Sequence, residues 1–371
     1  MREVSEKCRR VREGDLFDID WVADLYYNGT PRAQNLPIVG PKFAWDGAAQ
    51  IQGTGSVTIQ WDDVFGQSIV PQEIGDLFSP FGAELQVDVI VSAGKFAERI
   101  PMGRFVLDSV PDAVEYAVEH PHGGVPVVVE STVTLSLVDY FVRIARDTFP
   151  FPASPRSTSM WDEAQRLTGL AVFRSIPDRV LPTNLTYEED RLDALGRVFA
   201  PSNARPALTP AGALTAMPKD WPAPVDRLEL VLDAPLEMRS ENVYNRVVVE
   251  GKNPVPDGPP LIAVAEVTDG FLRTRNADGT RSPFGGNTYR YASEFLTTQA
   301  MCQQTANEML PRVSRIRAVT RRVVEQFNPL REVGDVLTLV DPFRQGQEST
   351  VRVSSVSHSG AETQLEVEVG Q

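Results

Sequence analysis

Three histidines, the adjacent carboxylates Asp62-Asp63 and Glu188-Glu189, two cysteines and a scatter of tryptophans are the first candidates in this 371-residue chain for chemistry on a ligand. His120-Pro121-His122 supplies half of a metal site. It lies in a Gly-rich stretch with no acidic or thiol partner at ligand spacing, so a solvated hairpin tip is the simpler reading. His358 falls at an expected turn between strands, a place for surface or packing roles. Asp62-Asp63 follows an expected strand. Glu188-Glu189 is expected in the first turn of a helix, where negative charge suits the macrodipole. A glycosidase needs two carboxylates facing each other across a cleft, which adjacency in sequence does not supply. Trp45, Trp61, Trp161 and Trp221 would make a sugar platform only if the fold gathered them, and they are spread over strands, a helix and a linker. Cys8 and Cys302 have no CxxC neighbour and read as buried or incidental thiols. No GxSxG, HExxH, P-loop or dinucleotide fingerprint is present. The pattern supports neither catalysis nor a cofactor or metal.

Charge narrows the classes further. The formal net charge is −14, whereas a protein that grips nucleic acid needs clustered Lys and Arg. An acidic surface suits one that nucleic acid slides past, because like charges repel. No stretch approaches the ~20 apolar residues of a membrane helix. The opening Met1-Arg2-Glu3-Val4-Ser5-Glu6-Lys7-Cys8-Arg9-Arg10 lacks the apolar core of an export signal.

The elements that must position these residues are mostly strands. Trp21 to Tyr27 leads into Asn28-Gly29, a strong hairpin signal. Val57, Ile59 and Trp61 alternate with polar residues, Glu84 to Val91 repeats the device, and Phe105 to Val110 is another expected strand. Val127 to Leu137 is the longest run, with Val127, Val129, Val133, Leu135 and Leu137 expected on one side. Val138 to Arg146 has helical spacing, and Ser159 to Gly169 is a capped helix. Thr186 and Glu189 form a capping box that opens a helix with Leu192, Leu195, Val198 and Phe199 buried. Further strands are expected at Leu228–Leu232, Glu241–Gly251, Leu261–Val267 and Arg317–Gln326. Between the last two, Thr297 or Thr298 caps a helix with Met301, Ala306, Met309 and Leu310 facing inward. The chain ends in Val336–Val340, Thr350–Val356 and Thr363–Val369, the last with Gln364, Glu366 and Glu368 on its polar face.

The expected fold is therefore mainly β: two small antiparallel β-barrel-like domains with a smaller α/β domain between them. The expected boundaries are an N-terminal arm at 1–14, a first barrel-like domain at 15–148, the α/β insertion at 149–226, and a second barrel-like domain with one helix at 227–371. Residues Ser5 to Arg12 read as a helical turn or two, or as a flexible arm.

Several runs in this order resemble one family. They are Ile51-Gln52-Gly53-Thr54-Gly55-Ser56-Val57-Thr58-Ile59-Gln60-Trp61, Leu77-Phe78-Ser79-Pro80-Phe81-Gly82-Ala83-Glu84-Leu85, Ile100-Pro101-Met102-Gly103-Arg104-Phe105 and Asp162-Glu163-Ala164-Gln165-Arg166-Leu167-Thr168-Gly169. The C-terminal half adds Asn242-Val243-Tyr244-Asn245-Arg246-Val247-Val248-Val249-Glu250-Gly251 and Leu330-Arg331-Glu332-Val333-Gly334-Asp335-Val336. The chain resembles the tail-hub (baseplate-hub, tail-tip) proteins of tailed bacteriophages, in the form found among phages of actinobacteria and often labelled minor tail proteins. The resemblance implies a homotrimer at the virion's tail tip, whose two barrels per chain make a pseudo-sixfold ring closing the tail tube. Its implied partners are a distal tail protein ring or tail tube protein, the tape-measure protein, and tail fibre or receptor-binding proteins. DNA passes only in transit, with no stable membrane insertion. Glu366 and Glu368 are the candidate lumen-facing acids. A carbohydrate-binding or adhesion module of the virion surface is the alternative, and a tail-associated hydrolase using Glu188 or Glu189 a third.

Overall fold

The Asn28-Gly29 turn sets the first register. The computed structural model describes residues 1–14, 17–61, 68–119, 127–181, 185–229, 231–238, 240, 243–254, 258–293, 295–316, 319–344 and 346–370. After helix α1 (Glu6–Arg12), capped by the Ser5 hydroxyl, come β1 (Asp18–Tyr27) and β2 (Thr30–Asp46). Asn28 and Gly29 both take positive φ, 49° and 74°, and Tyr27 pairs with Thr30. This is the two-residue hairpin that matches strand twist. Strands β3 (Gly53–Trp61), β4 (Ala83–Ala93), β5 (Phe96–Val118) and β6 (Val127–Val138) follow. Pairing runs β1-β4-β5-β6-β3-β2 and returns through β1–β2, so these six strands form a closed ring. Closure gives each of the six strands a neighbour on both sides, and β2 runs on past its β1 pairing, which ends at Pro37. Leu85, Val87, Val89, Val91, Val133, Leu135 and Leu137 alternate into its core.

At the end of β6 the buried Asp139 accepts from the Gly53 N–H at 2.6 Å and the Phe141 N–H at 2.9 Å. Burial pushes its carboxyl up to about 6. There the chain turns into α2 (Phe141–Arg146). The helix expected from Val138 starts three residues later because β6 keeps its ladder through Val138, which pairs with Thr54 and Val106.

Helices α3 (Met160–Thr168) and α4 (Arg191–Phe199) and the hairpin β7 (Ala204–Leu208) with β8 (Leu214–Pro218) enclose a second core. There Trp161 meets Phe199 edge-on at 5.1 Å. Ser159 and Gly169 cap α3 as expected. The α4 cap is Asp190, whose carboxylate accepts from the Leu192 and Asp193 N–H groups. It displaces Thr186 and leaves Glu188-Glu189 ahead of the helix rather than in its first turn. Asp and Asn serve as well as Ser or Thr at this position.

The C-terminal part interleaves two small assemblies. Strands β9 (Asp226–Leu228) and β10 (Val231–Asp233) take the place of one expected strand, and β11 (Leu236–Met238) follows. Then β12 (Arg246–Gly251), β13 (Leu261–Glu266) and β14 (Thr288–Ser293) form a separate sheet covered by α5 (Gln299–Pro311). Thr298 caps α5, and Cys302 and Ala306 are its buried stripe, whereas Met301 faces solvent. Gln299 and Gln303 of α5 donate to the Ile262 and Val264 carbonyls at 2.7 and 3.2 Å, occupying acceptors of edge strand β13. The chain finishes with β15 (Val319–Gln326), β16 (Val336–Asp341), β17 (Gln347–His358) and β18 (Glu362–Val369). These pair in the order β16-β17-β18-β15, and the stretch carrying β9 and β10 reaches β16 with one strand and β15 with the other. Leu228, Val323, Leu337, Leu339, Val351, Val353, Leu365 and Val367 fill this second β unit. The molecule is thus mainly β, with a large antiparallel sheet and few helices, as its alternation implies.

One expected face is divided. Val133, Leu135 and Leu137 are buried, but Val127 and Val129 are 38% and 46% exposed. Beyond Ser131, β6 loses its β3 neighbour, and Val129 is an extra residue opposite the step from Tyr116 to Ala117. Such a bulge changes which face the following side chains occupy.

Gly55 shows how tightly the first core is built. It pairs with Phe43, and a Cβ there would lie 2.4 Å from the Phe43 ring. That ring is already confined by Trp21 and Phe105, at 5.3 and 5.2 Å between centroids. Gly55→Ala is expected to destabilise the protein by about 1–3 kcal/mol. The urea midpoint measures this, and an unchanged midpoint would refute the packing account.

Candidate functional site: the seam between the two β units

Strand β17 belongs to both β units. Its first half pairs with β16, while Ser355, Val356, Ser357 and His358 pair with Asp46, Trp45, Ala44 and Phe43 of β2. The same residues pair with β18 on the other side. A continuous ladder therefore crosses from the N-terminal ring to the C-terminal unit.

Buried arginines hold this seam. Arg2 is 6% exposed and lies over the Trp45 ring, its guanidinium carbon 5.3 Å from the centroid. Its N–H groups donate to the Pro329, Arg331 and Met102 carbonyls at 2.7, 2.8 and 3.1 Å, joining the 328–335 loop to β5. Burial lowers its pKa against the opposing pull of Glu332 and Asp335. Arg331, 2% exposed, bonds Glu325 at 2.7 Å and Asp226 at 2.7 Å. Burial works against its charge, but the two carboxylates outweigh that and raise its pKa. Two more arginines fasten the β7–β8 hairpin. Arg205 donates to the Gly47 carbonyl at 2.6 Å, and Arg352 of β17 to the Lys219 and Pro218 carbonyls at 2.7 and 2.5 Å. A cavity of about 760 Å³ lies where these parts meet, lined by Arg2, Trp45, Met102, Leu208, Met217 and Trp221 among others.

His358 closes the seam from the C-terminal side. It is the last residue of β17, not part of a turn, and is 2% exposed. Its Nδ1 shares a hydrogen with the Thr363 hydroxyl at 2.9 Å, and its ring meets Trp45 and Phe327 edge-on at 5.6 and 5.4 Å. Burial, with the Arg2 charge nearby, holds its pKa well below the ordinary 6.5.

The other candidates are dispersed. His120, His122, Asp62 and Asp63 lie outside the described residues. Trp161 is wholly buried and donates to the Ile176 carbonyl at 3.0 Å, Trp45 belongs to the seam, Trp61 packs on the first core, and Trp221 lines the cavity. Cys8 and Cys302 are buried free thiols. Among the described residues no group of three or more His, Cys, Asp or Glu is placed to hold a metal ion. Glu366 and Glu368 alternate with the buried Leu365 and Val367, as read from the sequence. Glu366 is exposed and pairs across the ladder with Arg322, and the half-buried Glu368 pairs with Arg352. The terminal nitrogens of the guanidiniums at the seam are directed at backbone carbonyls and carboxylates of this chain, so the chemistry of the site is that of a clamp.

Sequence reasoning missed Arg2, Arg205 and Arg352, and took Arg331 only as one residue of the Leu330–Val336 run. Their partners are distant in sequence, Arg2 from Pro329 by 327 positions, and no local pattern announces such a contact.

Two outcomes follow. Arg2→Ala strands three carbonyls and is expected to cost roughly 2–3 kcal/mol, read from the urea midpoint. A loss of only a few tenths would remove Arg2 from the clamp. In the unfolded chain His358 takes up a proton near pH 6.5, whereas its folded, buried form stays neutral. Its contribution to stability is therefore complete above pH 6.5 and is lost as pH falls toward its depressed folded value. Stability of a His358→Gln variant relative to wild type should rise as pH drops from 7 to 5; parallel pH profiles would contradict this.

No protein-family model matches the sequence, and no curated protein sequence matches it. Its fold is similar to that of the tail protein from Neisseria meningitidis MC58, with TM-score 0.61 at 13% identity over 94% of this chain and 96% of that one. It is also similar to the 43 kDa tail protein of prophage MuSo2 from Shewanella oneidensis, with TM-score 0.57 at 12% identity over 94% and 98% of the respective chains. At these identities the likeness is one of fold, and it extends over nearly the whole of all three chains.

Proposed function

We propose that this chain is a structural hub protein of a phage tail tip, three copies of which form a pseudo-sixfold ring that closes the tail tube. The observation that carries the reading is the seam. One chain holds two β units joined edge to edge by the β2–β17 ladder, so three chains present six units around an axis. The full-length fold likeness to two phage-type tail proteins supports the same reading. In this role the ring meets a distal tail protein ring or tail tube on one side. It retains the tape-measure end, carries fibre or receptor-binding proteins, and opens for DNA ejection. Its net charge of −14 suits a channel that DNA crosses without sticking. Both acids stand opposite an arginine across a ladder, Glu366 opposite Arg322 and Glu368 opposite Arg352; Glu366 is the stronger lumen candidate because it is the more exposed.

Light scattering of the purified chain is expected to give three times the 40.9 kDa chain mass, and negative-stain averages a six-lobed outline with a central hole. A monomer throughout the micromolar to millimolar range would overturn the self-assembling ring. With rings in hand, Glu366→Lys should make them retain a short DNA duplex at low salt and release it at high salt. Equal retention by wild type and variant would take Glu366 out of the lumen.

A further inference from the structure

The β5–β6 ribbon projects past the ring that roots it. Pairing of β5 with β4 ends at Val106 and of β6 with β3 at Ser131, while β5 and β6 stay paired out to Val118 and Val127. Alternation puts Asp112, Val114, Tyr116 and Val118 on one face, with Glu130 opposite Tyr116 and Val127 opposite Val118. Tyr116 and Val118 are each 56% exposed. From Phe105 through Val142 the sequence contains no Lys or Arg, and Asp112 and Glu130 make no ion pair among the described residues. A two-stranded ribbon is marginal alone in water, and this one displays an apolar strip bordered by uncompensated acids.

The opposite character is concentrated between β13 and β14. That connection carries Arg273, Arg275 and Arg281 against Asp269 and Asp278, and past Phe271 the three arginines face Asp278 alone. The loop is built firmly: the buried Asn245 side chain donates to the Leu272 and Gly285 carbonyls at 3.0 and 2.6 Å and accepts from the Asn287 N–H at 2.8 Å. Yet Phe271 is 96% exposed. Arg275 and Arg281, both exposed, face each other in an antiparallel bridge. Like charges directly opposite are unfavourable, and an acidic partner laid across them relieves that repulsion.

We propose that the ribbon of one copy docks on the Phe271–arginine loop of the next copy of this chain. The inference rests on the ring reading and names its contact. Charge complementarity selects the occupant, because the acidic apolar strip and the basic aromatic loop belong to one chain. Asp112 and Glu130 meet Arg275 and Arg281, while Tyr116 and Val118 cover Phe271, with arginine over the tyrosine face adding attraction. The contact is head-to-tail, and such contacts close into rings when the rotation permits.

The test reverses the charges on each side of the full-length chain: Asp112→Arg with Glu130→Arg, and separately Arg275→Glu with Arg281→Glu. All four positions are on accessible surfaces, and circular dichroism melting checks that each variant folds. Each pair should weaken self-association roughly tenfold or more by light scattering. The chain carrying all four reversals should recover it, and Tyr116→Ser should weaken it without changing net charge. Wild-type assembly by the reversed variants would overturn the contact while leaving the ring intact. Self-association abolished by each pair and restored by all four, but without rings in the micrographs, would keep the contact and overturn the ring. A wild-type monomer, or an arginine loop that binds a labelled DNA duplex while reversals leave the mass unchanged, would overturn the proposal.

Discussion

The hydrogen bonds from buried arginines to backbone carbonyls across the β2–β17 seam are the constraint on which the arrangement of the parts depends. A guanidinium taken out of water is costly unless its donors are filled. Arg2 directs both of its terminal nitrogens at carbonyls from the 328–335 loop and β5, while its Nε has no hydrogen-bond partner, and Arg331 bonds Glu325 and Asp226. Each set of acceptors exists only when distant segments are already in place. The cost of burying the charge therefore turns into specificity: a seam slipped by one residue would leave a cation in an apolar environment without partners. Carbonyl oxygens suit this use because their positions are set by strands and turns rather than by rotamers, and the planar five-donor guanidinium can reach several at once.

The same device holds the α/β insertion, beside the apolar cluster in which Leu170 and Leu208 pack against Val106, Tyr140 and Val142. Arg205 reaches the Gly47 carbonyl just after β2, and Arg352 reaches back from β17 to Pro218 and Lys219. The hairpin β7–β8 is thereby tied to the strand that leaves the first unit and to the strand that builds the second. Glu84, receiving Arg104, Arg143 and Tyr140 at 2.5–2.8 Å, ties β4 and β5 to the start of α2. The parts keep separate apolar cores and are coordinated by charge. Surface ion pairs contribute little to such a task, whereas buried ones that lose a partner are strongly penalised.

The β-rich class was legible because alternation is local: Leu365 and Val367 against Glu366 and Glu368 show the same faces in the sequence and in the fold. Caps were legible where one residue type dominates, as at Ser159, Gly169 and Thr298. At α4 the local signal was degenerate, since Thr186 with Glu189 and Asp190 with Asp193 both satisfy it, and tertiary placement chose Asp190. Long strands were harder. The proline- and glycine-containing Thr30–Asp46 shows no clean period, yet its edges are saturated by β1, β3 and β17, and that pairing holds it extended. Val127 and Val129 misled because periodicity cannot show where a strand outruns its neighbours. The candidate site was the least legible, since a clamp between Arg2 and Pro329 has no signature in either stretch.

Rigid coupling and exposed extension then divide the labour within one chain. The seam lowers the freedom of one β unit relative to the other, so that a contact made by either unit orients both. The β5–β6 ribbon and the Phe271 loop stay outside these cores, and both carry unbalanced charge beside an aromatic group that meets solvent. In a monomer that division is wasteful: exposed apolar side chains and unneutralised acids on a two-stranded ribbon oppose stability. It makes physical sense when the balancing groups arrive from another molecule, because interactions left unmade in the free chain are then available to drive assembly. In the proposed ring the interior charges fix the geometry of one copy, and the exterior charges remain for the next.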